Sequence, residues 1–189
     1  MDLTGPTVAL VGAALRRLVA SELVAARAEG AGRLVGVSCL APGADTLFAE
    51  SVLESGGGLV AVLPAGDYRR VLGRRETEPG RRRVLLERFD RLVSAAEEVV
   101  RMPFESSGER AYEAANAELL TRADLLVAVW DGVDTGLDGG TAHTVAEARV
   151  RRVPVRVVWP PLAERASRAS RASRAGSAPA TRRPGADGD

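Results

Sequence analysis

The first apolar pattern in the chain is that of a helix. Between residues 7 and about 28, apolar side chains recur at steps of three to five positions, which marks one face of a long helix. They are Val8, Val11, Leu15, Leu18 and Leu23. The sequence therefore predicts that the chain opens with a helix.

Five short, nearly all-apolar runs follow, at residues 34–40, 59–63, 98–102, 125–130 and 153–159. Their richness in β-branched residues is typical of parallel strands that are buried on both faces. Because Pro154 cannot donate a hydrogen bond to a neighbouring strand, the last strand is expected at or near a sheet edge.

Helices are predicted between these strands, at residues 44–54, about 80–95, 109–122 and 141–151. Alternating strands and helices indicate right-handed crossovers. The predicted fold is therefore α/β: a doubly wound, mainly parallel five-stranded sheet with helices on both faces. Residues 64–79 are expected to be a mobile connection, with a lid over a ligand as one interpretation.

The length of 189 residues suits one ordinary domain, and we place it at residues 1–160. Residues 161–189 repeat Arg-Ala-Ser three times from Arg165 and end in a Gly/Pro/Ala-rich stretch. This composition predicts a disordered tail. A solvated extension is favoured over a basic arm that touches nucleic acid.

Charge and composition narrow the class of partner. All 26 basic residues are Arg, but the first 160 residues hold 20 of them against 22 acidic residues. A slightly acidic domain makes nucleic acid an unlikely partner, although a local basic patch stays open. No apolar run is long enough to cross a bilayer, so no membrane partner is expected. The N-terminus lacks a secretory pattern and Cys39 is alone, which together favour the cytoplasm.

The first candidate binding loop covers residues 38–45, between a predicted strand and a predicted helix. Ligands of parallel sheets collect where such loops meet helix N-termini. Gly43 would let the backbone approach a ligand, and Ser38 could donate its hydroxyl. Ala44 begins the helix. Asp45 could accept from a ribose hydroxyl or serve as a plain N-cap, and both interpretations stay open.

The second candidate loop runs from Trp130, Asp131 and Gly132 to the pair Gly139-Gly140 and Thr141. Adjacent glycines and a Thr at a helix start can cradle a phosphate. Glycines that merely form the turn are the alternative. The occurrence of two such loops at one end of the sheet favours binding.

Other polar residues add little chemistry. Trp130 could stack on a base but is expected to pack, and Asp131 could bind a hydroxyl or cap a turn. His143 is expected to be an exposed bystander and Cys39 a small buried hydrophobe. With one His and one Cys, neither a metal site nor a catalytic triad is predicted, and no cofactor is expected.

Residues 38–50 resemble the S-G-G-A-x-G-A-D-x-L-A-A-E segment of a Rossmann-like superfamily known as SLOG. It joins the LOG phosphoribohydrolases, the lysine decarboxylase-like proteins and the DNA-processing DprA/Smf proteins. Residues 123–132, followed by 139–141, resemble its second phosphate loop. The resemblance spans residues 34–160 and implies a Rossmann-like fold that binds a nucleotide or a nucleotide-derived metabolite.

Two departures from the superfamily shape the expected function. In the LOG enzymes a Glu after the second loop works with an upstream Arg to cleave an N-glycosidic bond. Here those positions hold Thr144 and Ala115, and Glu147 lies three residues further on. The superfamily also usually begins with a central strand before the first helix. Its lack here predicts a lost strand or a true start upstream of Met1, and we favour the latter.

Three functions follow as hypotheses. A pocket without an acid–base group binds without turnover, so a non-catalytic nucleotide sensor leads. The alternatives are a LOG-type nucleoside-monophosphate phosphoribohydrolase, using Glu113, Glu118 or Glu147, and a DprA-like binder of single-stranded DNA that uses the arginine tail. Dimers are common in the superfamily, which leaves a homodimer open.

Overall fold

The structure, a computed structural model, describes residues 3–28, 30, 33–133 and 140–164. These form six helices and five strands. In chain order they are α1 (Gly5–Ala28), β1 (Val35–Ser38), α2 (Ala44–Glu54), β2 (Gly58–Leu63), α3 (Tyr68–Arg75), α4 (Pro79–Ala95), β3 (Glu98–Arg101), α5 (Glu109–Thr121), β4 (Leu126–Val129), α6 (Thr141–Val150) and β5 (Val155–Val158).

The strands pair in parallel and form two sheets. One sheet has the order β1-β2-β3, and the other contains β4 and β5. In register, Val60 of β2 lies opposite Val37 of β1 and Glu98 of β3. The α/β class and the five strands are confirmed, but the strands do not form the single sheet that was predicted. Apolar periodicity indicates which segments are strands and carries no information on which strands pair.

Strand β2 is the centre of the larger sheet, and all six of its residues are buried. Leu59, Ala61 and Leu63 share a core cluster with Phe89 and Leu92 of α4. Val60 and Val62, on the other face, share a cluster with Ala115 of α5. Helices therefore cover both faces of this sheet, as predicted.

The prediction that the strands are buried on both faces is wrong for β3 and β5. Strand β3 has no fully buried residue, and β5 exposes Arg156 and Val157. Both strands have one hydrogen-bonded neighbour, so their outer sides lack the cover that β2 receives. The predicted edge position of the strand after Pro154 is confirmed.

Helices join the two sheets. Val11 and Leu15 of α1 lie in one buried cluster with Val129 of β4, and Leu47 and Phe48 of α2 pack against this cluster. Across the fold, Leu119 of α5 packs against clusters that belong to both sheets. Side-chain packing thus connects the two sheets, because the described residues form no backbone hydrogen bonds from strand to strand between them.

Helix α2 lies very close to β1 because Gly36 has no side chain. A Cβ built at Gly36 would lie 2.8 Å from Cγ2 of Val52 and 3.1 Å from Cε1 of Phe48. Any larger residue would push the helix away from the strand. This close contact fixes the distance of α2 from β1, the two elements that the first candidate loop connects.

Most predicted helices match within two residues, and α2 matches in full. Within residues 64–79, which were expected to be a mobile connection, the structure contains a helix that was not predicted, α3 at Tyr68–Arg75. Tyr68 and Leu72 are buried one helical turn apart and pack with α4. An eight-residue helix with two apolar anchors is too short for its periodicity to stand out.

The chain after β5 is described as far as Glu164. The backbone N–H of Glu164 donates to Oγ1 of Thr7 over 2.8 Å, and the Thr7 hydroxyl donates to the carbonyl oxygen of Glu164 over 3.0 Å. The predicted tail from residue 165 onward lies outside the described residues. Among the described helices, none has the length and apolar character needed to span a bilayer.

Candidate ligand site

The described parts of both candidate loops open at one edge of the fold. The first loop leaves β1 and enters α2, and the second leaves β4 and enters α6. Ala44, the first residue of α2, packs against the cluster that contains Val129, the last residue of β4. Trp159, directly after β5, packs against the same cluster. The carboxyl ends of the strands that precede the two loops therefore lie on the same side.

The first loop is a tight turn built around Ser38 and Leu40. The Ser38 hydroxyl is 3% exposed, accepts from the Leu40 N–H over 3.1 Å and donates to the Asp45 carbonyl over 3.4 Å. Leu40 is fully buried with a φ of 55°. The hydroxyl predicted to contact a ligand is thus used inside the loop, where it holds the turn against the core.

Gly43 brings the chain into α2 in a conformation that requires glycine. Its φ is 102° and its ψ is −117°, which L side chains rarely adopt. It is the N-cap residue of α2, and no side chain caps this helix. The N-cap interpretation of Asp45 is wrong, since Asp45 lies at the second helical position and its Oδ2 accepts from the Ala41 N–H over 3.3 Å.

Burial controls the protonation of the polar groups in this loop. Asp45 is half-buried, and burial raises the pKa of its carboxyl group, while hydrogen bonds from the N–H groups of Ala41 and Cys39 act in the opposite direction. Burial and the charge of Asp45 also raise the pKa of the Cys39 thiol. A protonated, buried thiol is a poor nucleophile, which agrees with the predicted role of Cys39 as a small hydrophobe.

The second loop begins with a turn formed by its own side chains. Trp130 packs against the cluster of Leu126 and Val145, and its Nε1 donates to the Val133 carbonyl over 3.0 Å. Oδ1 of Asp131 accepts from the Val133 N–H over 3.0 Å, and Gly132 has a φ of 82°. Trp130 packs and Asp131 caps a turn, as one interpretation of each predicted. Residues 134–139, and with them Gly139, lie outside the described residues.

Gly140 and Thr141 lead the second loop into α6. Gly140 is the N-cap residue with a φ of −78° and a ψ of 175°, and no side chain caps the helix. The Thr144 hydroxyl donates to the Gly140 carbonyl over 3.2 Å. Thr141 is half-buried at the start of the helix, and His143 is exposed.

Side-chain capping differs between the helices that follow strands and helix α4. Helices α2, α3, α5 and α6 begin in loops that follow strands, and none of them has a side-chain cap. Helix α4 follows α3 and is capped by Glu78, whose carboxylate accepts from the N–H groups of Gly80 and Arg81. Within the described parts of the chain, the first-turn N–H groups of α2 and α6 therefore have no side-chain acceptor, and they carry the positive end of the helix dipole.

The glutamates considered for hydrolysis occupy different parts of their helices. Glu118 pairs with Arg122 over 2.6 Å, and Glu147 pairs with Arg151 over 2.8 Å. Glu118 is about 14 Å along α5 from its start, given a rise of about 1.5 Å per residue. Glu113 is half-buried in the second turn of α5, nearer the loops. In the described chain, no three His, Cys, Asp or Glu side chains gather as a metal-binding group.

Comparison with known proteins shows a likeness in fold. No protein-family model and no curated protein matches the chain. Among solved structures, the chain is similar to DNA processing protein A (DprA) from Streptococcus pneumoniae, with a TM-score of 0.52 and 18% sequence identity. The similarity covers 84% of this chain and 47% of that one, so this chain spans about half the length of DprA. It confirms a Rossmann-like α/β fold of the DprA type.

The raised pKa of Asp45 predicts how stability depends on pH. A carboxyl group whose pKa is raised by folding is costly to ionise in the folded protein. The free energy of unfolding therefore falls as pH rises from the unfolded-state pKa to the folded-state pKa. We expect the unfolding free energy of the wild type to fall, relative to Asp45→Asn, as pH rises above about 4, the ordinary Asp value. Urea unfolding of both proteins across a pH series measures this difference.

Asp67→Asn is the matched control with the opposite sign. The hydroxyl and the backbone N–H of Ser107 both donate to Asp67 over 2.7 Å and lower the pKa of its carboxyl group. The wild type should therefore lose its advantage over Asp67→Asn as pH falls below about 4. A wild type that instead gains stability over Asp45→Asn with rising pH would contradict the buried position of Asp45.

Proposed function

We propose that the chain binds a nucleotide or a nucleotide-derived ligand where the first and second loops enter α2 and α6. One observation carries the proposal: the loops singled out by their glycines lead into helices whose first-turn N–H groups have no acceptor among the side chains of the described residues. Such helix ends bind phosphate through the N–H groups and the dipole.

The residues of the two loops take different roles in this proposal. The backbone N–H groups of Ala44 and Asp45 would receive an anionic group at α2, with Gly43 permitting close approach. At α6, the N–H and hydroxyl of Thr141 would do the same, after Gly140. The turn of Trp130, Asp131 and Gly132 would shape the wall between them. Gly139 belongs to the proposed site by sequence alone.

Binding without turnover is the favoured form of this function. Thr144 and Ala115 occupy the positions at which the LOG resemblance calls for a Glu and an Arg. Ala115 is 1% exposed in the core, and the Thr144 hydroxyl bonds to its own helix. Glu118 and Glu147 are ion-paired further along their helices. A phosphoribohydrolase would therefore depend on Glu113, and release of free base from a nucleotide, lost in Glu113→Gln, would support it.

A new carboxylate at the start of α6 tests the phosphate site. The backbone angles of Gly140 suit any L residue, so Gly140→Asp should cap the helix without strain. We expect it to raise the stability of the unliganded protein by about 1 kcal/mol. It should also abolish the melting-temperature increase that nucleoside monophosphates give the wild type.

Gly108→Asp is the matched control, because Gly108 is the uncapped N-cap of α5, outside the two loops. A Cβ there meets no atom within 4 Å. This variant should gain similar stability and keep its nucleotide response. Equal loss of binding in both variants would point to general electrostatic repulsion, and a wild type unaffected by any nucleotide would refute the proposal.

Single-stranded nucleic acid is the second candidate ligand, and a different surface favours it. Helices α3 and α4, at residues 68–95, hold nine Arg and four acidic residues. They therefore carry a net charge of +5 within a domain that is slightly acidic as a whole. The solved structure with the similar fold is that of a DNA processing protein. Net charge over the whole sequence conceals this local basic patch.

The basic residues of α3 and α4 border an open groove of about 650 Å³. Arg69 is held by Asp90 over 2.7 Å and Arg70 by Asp67 over 3.0 Å. Arg74 makes no ion pair or hydrogen bond with any described residue. Asp67 and Glu105 also line the groove and would repel a phosphate. The groove therefore fits a backbone held by a few arginines and contains no aromatic side chain for stacking on bases.

Salt dependence tests this surface. If a single-stranded oligonucleotide lies on it, the double variant Arg70→Gln/Arg74→Gln should bind more weakly and reduce the slope of log affinity against log salt by about 1 to 2. The control pair Arg16→Gln/Arg17→Gln removes two exposed arginines of α1 and should leave the slope near its wild-type value. Loss of binding only on deleting residues 161–189 would assign the oligonucleotide to the tail instead.

A further inference from the structure

Tyr68 is buried, and its hydroxyl has no hydrogen-bond partner among the described residues. It is the first residue of α3 and is 3% exposed. Its ring packs edge-on to Phe89 and Tyr112, with centroid distances of 6.0 Å and 6.3 Å. The phenol makes no hydrogen bond with any residue that the structure describes. Since buried polar groups are nearly always satisfied, this hydroxyl requires a hydrogen-bond partner other than a described residue, and a bound ligand can supply one.

Tyr68 adjoins the first loop. It begins α3 five residues after Leu63, the carboxyl end of β2, and lies in one buried cluster with Leu40. Ala41, the residue after Leu40, donates its N–H to Oδ2 of Asp45 over 3.3 Å, and the charge of Asp45, after burial, raises the pKa of the Tyr68 hydroxyl. They form no hydrogen bond with each other. A buried donor and a half-buried acceptor thus lie near one another, each able to bind a third group.

We propose that Tyr68 and Asp45 together recognise a ribose hydroxyl of the ligand, an inference that rests on the nucleotide site proposed above. A sugar hydroxyl can accept from the phenol and donate to the carboxylate at the same time. A deoxyribose that lacks this hydroxyl leaves both protein groups unpaired, which is the strongest way for a site to reject an analogue. The ligand class is therefore a ribonucleotide, and Tyr68 is a residue that determines specificity.

The test compares the four common nucleoside monophosphates with their 2′-deoxy and 3′-deoxy counterparts by calorimetry. The wild type should prefer a ribonucleotide over one of its deoxy forms by about tenfold to a hundredfold. Tyr68→Phe should bind both forms within about twofold of each other, since one hydrogen bond is no longer available to distinguish them. Tyr112→Phe is the matched control: its ring lies against Tyr68, and its hydroxyl is bonded to Arg75.

A second readout does not depend on the ligand. Tyr68→Phe removes an unsatisfied buried hydroxyl and keeps the ring, so the unliganded variant should melt at the wild-type temperature or above it. A melting temperature several degrees lower would show that the hydroxyl is already bonded within the protein, and would overturn the inference.

The binding outcomes separate this inference from the function on which it rests. Equal binding of ribose and deoxyribose forms by the wild type would overturn the role of Tyr68 and leave nucleotide binding intact. Binding of no nucleotide at all would overturn both.

Discussion

The packing of α1 and α2 against β4 is the contact on which the described structure depends. Strands β1 and β4 each have one hydrogen-bonded neighbour, so no backbone ladder joins the sheets across the described residues. Val11 and Leu15, both fully buried, fill this junction from α1. Each contributes about 1.5–3 kcal/mol by leaving water. This packing, together with that of Leu119 of α5, fixes the two sheets, and with them the two candidate loops, relative to each other.

That junction gives the candidate site its chemistry. It places the start of α2 beside the end of β4, so helix ends without side-chain acceptors gather on one side. Glu78 shows that the chain does use a capping side chain, at the helix that follows another helix and not a strand. The arginines of α3 and α4 form a separate basic surface. The nucleotide and nucleic-acid hypotheses therefore differ in where the anion lies, which makes them separable by experiment.

The sequence predicted the elements well and their contacts less well. Long periodic segments such as α1 and α2 were predicted because their apolar faces are repeated over several turns. Helix α3 was missed because its two buried anchors, Tyr68 and Leu72, make a single repeat. The division into two sheets depends on which strands pair, and periodicity does not encode this. The basic surface of α3 and α4 depends on local charge, which the net charge of the whole chain does not reveal. The Tyr68 hydroxyl could not be predicted, since its lack of a partner is a property of packing.

The central claim is that a nucleotide binds through backbone N–H groups at the starts of α2 and α6. Amide chemical shifts measured by NMR during titration with a nucleoside monophosphate test it most directly. If the nucleotide binds there, the largest changes fall on Ala44, Asp45 and Thr141, while the amides of α3 and α4 move little. Changes confined to α3 and α4, or none at saturating nucleotide, would contradict it.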